Sequence, residues 1–273
     1  MTQAIQTAPV SHYRVKNVVK SEVLKMATLP STALTLGLTV VAGLLVTGLV
    51  TNAALHHSPD FYNGFDPTQS ALTGLIVAGL TGGVFGALLI TGEYSSGTIR
   101  SSLAATPKRP VLLVAKLGVT AAAMVVFCEV LSFVAFFLGE GILSGGGAPS
   151  ASLGSPGALR AVWMTGLFIA LLALMSFGFG LIFRSTAGAI SAFVGVVFVL
   201  PLVIRGISES ATRWTPTRIL INSIMNTTNQ GGGGPKGGGL IQDFSPGVGL
   251  LVMAFYAAIA LAAGAVVFMK RDA

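Results

Sequence analysis

The chain has 273 residues, 53% of them hydrophobic and only 9% charged, with a net charge of +7. Soluble domains carry about 25% charged residues, so the composition excludes an ordinary soluble fold. The single cysteine, Cys128, excludes an intrachain disulfide, and no Cys/His cluster offers a metal site.

Apolar runs of about 20 residues recur six times. The pattern predicts an all-α, polytopic membrane protein, with residues 1–273 forming one transmembrane domain. Ahead of the first run, residues 11–27 predict an amphipathic interfacial helix. Val15, Val18, Val19, Val23 and Met26 share one face, and Arg14, Lys16, Asn17, Lys20, Ser21 and Lys25 cover the rest. Leu24 is the one exception. Such a helix lies in the membrane interface with its basic residues near anionic head groups. The plainer alternative is a basic flank that only sets topology. A cleaved signal peptide is not expected, because about 30 residues of mixed charge precede a first run that is longer than an h-region.

Span one is read over 31–51, after Pro30. Loop 52–69 holds His56, His57, Asp60 and Asp66, whose spacing fits no standard metal site and which exposed-loop polarity explains. Span two, 70–90, contains the overlapping small-residue pairs Gly79/Gly83 and Gly82/Gly86, which let another helix approach closely. Packing within the chain and a helix lining a substrate path or dimer seam both account for them. A polar connector, 92–106, follows. In it Ser95 or Ser96 is expected to cap a short helix running from Thr98 to Ala105 and stopping before Thr106-Pro107.

Span three, 111–138, holds Glu129 roughly 13 Å from its outer end at 1.5 Å per residue. It is read as the one ionisable group within the spans. A carboxylate there is costly unless it is paired, protonated or wetted. It serves either as a polar point on a transport path or as a satisfied interhelical hydrogen bond. The Gly/Ser/Pro-rich stretch 139–157 is a connector. Spans four and five, 159–183 and 188–204, form a hairpin through Arg184-Ser-Thr-Ala187, and Pro201 kinks or ends the second. Segment 205–246 is too polar to span, yet it holds Trp214, Ile219, Leu220, Ile221, Ile224 and Met225. It is read as an outer amphipathic or re-entrant segment, or as a loop resting on lipid. The run from Gly231 to Gly239 is no P-loop, because no Gly-Lys-Ser/Thr follows it. Span six, 248–269, ends at Lys270-Arg271.

With both termini placed in the cytoplasm, eleven of the sixteen Lys and Arg fall inside and five outside. This one-sided excess fits the positive-inside rule and explains the net charge without nucleic acid.

Glu93, followed by Gly97, Thr98 and Ile99 after the second span, resembles the first cytoplasmic connector of the type-2 permeases of ABC exporters. The layout of six spans with a long outer segment before the last is similar to that family's, and Trp214-Thr-Pro-Thr-Arg-Ile-Leu loosely resembles its outer helices. The resemblance implies a coupling site at Glu93, Tyr94, Gly97, Thr98, Ile99 and Arg100, with Glu93 anchoring the connector through a nearby Arg or Lys; a solvated turn residue is the plainer alternative for Glu93. It also implies two copies of a cytoplasmic ATPase subunit, which supply ATP and Mg chemistry. A second permease, either another copy or a related chain, completes the assembly in surrounding lipid. The location implied is the plasma membrane of a bacterium. The chain itself has no Walker A, Gly-x-Ser-x-Gly or His-Glu-x-x-His motif, so it is expected to bind no cofactor and to be no enzyme.

Glu129, Gly79, Gly83 and Gly86 are the candidate substrate path. The expected cargo is hydrophobic or amphipathic, a drug or antimicrobial first and a lipid-like precursor second. A nucleotide-independent carrier or channel, or a membrane scaffold subunit, is the alternative.

Overall fold

A computed structural model describes residues 15–106, 108–224 and 244–270. Expectations for residues 11–14, Met225, the glycine run 231–239 and Arg271 lie outside them. Among the described residues there is no strand. The α-helices are α1 (Val15–Thr28), α2 (Pro30–Ala54), α3 (Pro67–Thr73), α4 (Leu75–Ser95), α5 (Thr98–Ala105), α6 (Arg109–Gly145), α7 (Ala158–Phe183), α8 (Thr186–Val194), α9 (Leu200–Ile207), α10 (Pro216–Ile224) and α11 (Pro246–Lys270). Six helical segments are long and apolar enough to cross a bilayer: α2, α3–α4, α6, α7, α8–α9 and α11. They mark a multi-pass membrane protein.

α2 shows why the surroundings must be hydrocarbon. It turns Thr32, Thr39, Gly43, Thr47 and Thr51 inward, and Leu34, Leu38, Val41, Leu45 and Leu49 outward. In water this face selection would be reversed, because burying aliphatic surface is the main driving force. In lipid nothing is lost by exposing leucine, and small residues win the interface by allowing close packing. The buried hydroxyls are satisfied on carbonyls: Thr39 donates to Thr35 O at 2.8 Å, Thr51 to Thr47 O at 2.8 Å and Thr47 to Ala71 O at 3.1 Å.

α7 is the central helix. It packs on α4, α6, α8 and α11, and its Phe168, Ile169 and Phe177 are fully buried. Glycines make the contacts. A Cβ at Gly178 would lie 2.6 Å from the Ala260 carbonyl carbon, and one at Gly86 would lie 2.0 Å from Ala173 O. Gly79 and Gly82 face Leu172 and Ile169, and Gly83 lies against the Phe193 ring. The span-two glycines are therefore packed within this chain. Gly79, Gly83 and Gly86, read as candidates for a substrate path, have their seam filled by α7 and α8.

The helices outrun their predicted bounds. Span two starts at Pro67 and is broken at Gly74, which fits against Gly43 O and Thr47 where α2 crosses. Asp66 caps its start by accepting from the Gln69 N–H at 3.2 Å. α6 has 37 residues and ends at Gly145, because Gly139 is a packing notch against Ala71 and not a terminator. Glu129 is consequently about 24 Å from that end at 1.5 Å per residue, instead of 13 Å.

Pro201 neither ends nor breaks span five, which runs Thr186–Ile207. A π-helical turn, Gly195–Val199, precedes it. Proline lacks the N–H that would reach back four residues to the Val197 carbonyl. The Thr217 hydroxyl of α10 donates to Val197 O in its place. Thr217→Val removes that donor and is expected to lower stability by about 1–3 kcal/mol, the cost of an unsatisfied buried acceptor. Thermal unfolding in detergent checks it, with Thr217→Ser retaining the wild-type value.

The described part of segment 205–246 is helical and packed on the bundle. Its Arg205, Gly206 and Ile207 belong to α9, a 3-10 turn spans Glu209–Trp214, and α10 is buried by Ile219, Leu220 and Ile224. Tyr256 donates to Trp214 O at 3.0 Å, Ile219 sits against Gly249, and Asn222 bonds Phe244 O. This descending order of partners makes α10 antiparallel to α11. The chain therefore reverses before α10, which runs back alongside α11.

Candidate functional site

α4 ends in a Schellman-type turn. Ser95 and Ser96 donate back to Gly92 O at 3.1 and 2.8 Å, the Gly97 N–H reaches Tyr94 O at 3.3 Å, and Gly97 takes φ +71°. Only glycine holds that left-handed conformation without cost. The serines therefore close α4 and do not cap α5 as expected; Gly97 is the N-terminal flank of α5, with no side-chain cap. α5 ends at Thr106, the residue before Pro107, in a conformation that proline imposes on its predecessor.

The connector helix is held to the bundle at two places. The first is apolar. Ile99 is 2% exposed and packs in a cluster with Val18 of α1, Ile90 of α4, Leu112 and Leu113 of α6, Phe177 of α7 and Phe268 of α11. Arg100, Ser101 and Ala104 face away.

The second is a buried four-charge network. Lys116 of α6 donates to Glu22 Oε2 of α1 and to Glu93 Oε1 of α4, both at 2.5 Å. Lys25 of α1 reaches Glu22 Oε1 at 3.0 Å, Glu93 Oε1 at 3.4 Å and the Ser102 hydroxyl of α5 at 2.9 Å. Glu93 is 7% exposed and Lys116 5%. Two carboxylates and two ammonium groups make the set neutral, which is the condition for keeping charge away from water. Burial alone would lower the Lys25 pKa, but the hydrogen bonds and charges of Glu22 and Glu93 outweigh it and hold it above the ordinary lysine value. One network thus ties together α1, α4, α5 and α6.

Tyr94 extends it sideways. Its ring lies 5.3 Å from the Arg184 guanidinium, in the turn between α7 and α8, and Thr186 of that turn donates to the Thr91 hydroxyl at 2.9 Å. Every element of this end of the bundle touches the α4–α5 junction directly or through one side chain. The last turn of α11 lies at the same end, where Arg109 donates to Met269 O.

Of the sequence-predicted coupling residues, the structure gathers Glu93, Tyr94, Gly97, Thr98, Ile99 and Arg100 at this junction. Glu22, Lys25, Ser102, Lys116 and Arg184 join them; Lys25 and Lys116 are the basic partners of Glu93, which the sequence left unnamed. Lys116 corrects the reading that Glu129 is the one ionisable group in the spans, since it lies on the same helix, six residues after Pro110. A lysine inside an apolar run is itself a signal for a buried partner.

Glu129 is elsewhere. It is 8% exposed and sits on α6 in the notch left by Gly166 of α7, where a Cβ would fall 2.7 Å from its Cδ. Neither carboxylate oxygen has a side-chain partner among the described residues. It lines none of the clefts described here, so the structure does not join it to Gly79, Gly83 or Gly86.

Toward the opposite end, His57 stacks on Phe61 at 4.1 Å and bonds Ala53 O through Nδ1, in a small knot with Tyr62 and Phe65. Among the described residues no three His, Cys, Asp or Glu side chains converge as metal ligands.

A family model described as Protein of unknown function (DUF2705) matches residues 56–273. The chain belongs to the DUF2705 family. No curated protein matches it. The matched DUF2705 region contains Glu93, the connector and Lys116, while Glu22 and Lys25 precede it.

Proposed function

We propose that this DUF2705 protein is the membrane-spanning subunit of an ATP-driven ABC exporter that moves a hydrophobic or amphipathic compound out of the cell. The observation that carries the reading is the α4–α5 junction. A short helix presents Arg100, Ser101 and Ala104 outward while Ile99 and the Glu22–Lys25–Glu93–Lys116 network bind its other face to α1, α4 and α6. A push on α5 is thereby delivered to α1, α4 and α6 together, and through Tyr94 to the α7–α8 turn. A free surface loop could not transmit force, because loops yield at low free energy. In this reading the junction is cytoplasmic, two ATPase subunits dock on α5, and ATP and Mg are held by those partners. Two permease chains, this one twice or with a relative, enclose the path. The closed seam at Gly79, Gly83 and Gly86 belongs to one state of a cycle whose open state separates helices.

Affinity purification of the tagged chain from its native bacterial membrane, followed by mass spectrometry, tests this. A stoichiometric ATPase with Walker motifs is expected. Arg100→Glu combined with Ala104→Arg alters only the outward face of α5, so it is expected to lose the ATPase while the chain keeps its wild-type melting temperature. A chain that purifies alone in several mild detergents would overturn the exporter reading in favour of a carrier or scaffold.

A further inference from the structure

Beside the charge network a cleft of about 290 Å³ opens between the start of α2 and the end of α4. Its walls are Leu29, Phe85, Leu88 and Leu89, and its rim carries Lys25, Thr35, Glu93 and Ser96. An apolar body with a few polar groups at one edge is the form of a small-molecule site.

Beside Glu93 the donors are already engaged, while the hydroxyls of Ser31, Thr32 and Thr98 also line the cleft. Lysine has three N–H bonds, and Lys25 directs them at Glu22 Oε1, Glu93 Oε1 and Ser102 Oγ. Thr35 donates to Ser31 O at 2.8 Å and Ser96 to Gly92 O at 2.8 Å, so both hydroxyl hydrogens point at backbone. Glu93 spends Oε1 on both lysines, and among the described residues Oε2, buried, has no partner. A buried carboxylate oxygen without a donor is expensive. An anionic head gains nothing from a network whose charges already cancel, and at Glu93 it would face the unpartnered carboxylate oxygen.

We propose that this cleft binds a single-chain amphiphile whose head is a hydrogen-bond donor, an alcohol or a primary amine. The chain lies between Phe85, Leu88 and Leu89, and the head donates to Glu93 Oε2. The site needs this chain alone and holds with or without an ATPase partner. Because Glu93 and Lys25 belong to the network that grips α5, an occupied cleft bears directly on that junction.

Gly92 provides the control. A Cβ there meets nothing within 4 Å, so Gly92→Phe fills the cleft without pressing on backbone. The purified full chain in lipid nanodiscs is irradiated with diazirine-bearing dodecanol, dodecylamine or dodecyl phosphate, and labelled peptides are mapped. The alcohol and amine probes are expected to label cleft residues of α2 and α4 saturably. Labelling should fall about tenfold or more in Gly92→Phe and on addition of excess unlabelled dodecanol to wild type. Equal or stronger labelling by dodecyl phosphate would overturn the proposal. So would labelling that unlabelled dodecanol does not displace, or full labelling of a normally folded Gly92→Phe. The dodecanol competition uses wild type and decides the matter even if the variant does not fold.

Discussion

Lys116→Met is expected to destabilise the protein by about 3–5 kcal/mol, the usual cost of removing one partner from a buried ion pair. Glu22 on α1 and Glu93 on α4 would then keep their carboxylates buried with Lys25 alone to serve both. Lys25 cannot replace Lys116, because its ammonium is already divided among Glu22, Glu93 and Ser102. Thermal unfolding of purified protein should fall by roughly 10 °C. The triple variant Glu22→Gln, Glu93→Gln, Lys116→Met removes the stranded charges together and should recover most of the loss. A single variant that melts like wild type would mean that water reaches the network freely. The pH dependence follows from Lys25. Its folded pKa is raised above the reference value of 10.5, so its contribution is complete below that pH and disappears as pH rises through the folded value. The network therefore weakens in alkali.

Gly86→Ala should be strongly damaging although it adds a single methyl group. Its Cβ would lie 2.0 Å from Ala173 O, 2.8 Å from Ala173 C and 3.0 Å from its Cα. These are backbone atoms, so no rotamer change relieves the clash and α4 must move off α7. That seam contains Phe85, Ile169, Leu172 and Phe193, all fully or almost fully buried. Separation loses their packing along its length, a penalty expected to exceed about 3 kcal/mol and to outweigh the gain of about 1 kcal/mol in helix propensity. Size-exclusion profiles of the expressed protein should show little or no monodisperse material. Gly92→Ala, on the same helix with open space at its Cβ, should behave as wild type.

The inward threonines and outward leucines of α2 show how far a periodic pattern can be read in a membrane chain. The number of spans was legible because each is a run of apolar residues, and the bilayer demands length and apolarity before anything else. The junction at Glu93–Ile99 was legible because a polar run containing Gly97 must interrupt two spans, and only a short helix fits between Gly97 and Pro107. Span ends were not legible at Gly139 or Pro201. A glycine against Ala71 and a proline whose lost hydrogen bond is replaced by Thr217 both look like breakers until the neighbouring helix is in place.

The charge network shows the same division more sharply. By itself the sequence determined that Glu93 stands at the end of a span and that ionisable groups there need partners. It could not determine which partners, because Glu22, Lys25, Glu93 and Lys116 are separated by up to 94 residues and meet only where α1, α4 and α6 converge at one end of the bundle. Tertiary structure also decided that Gly79, Gly83 and Gly86 serve packing in this conformation, and that Glu129 stands apart from them. The physical reason is common to these cases. Apolarity is a property of a segment and survives in one dimension, whereas a salt bridge or a glycine notch is a property of two segments and exists only where they touch.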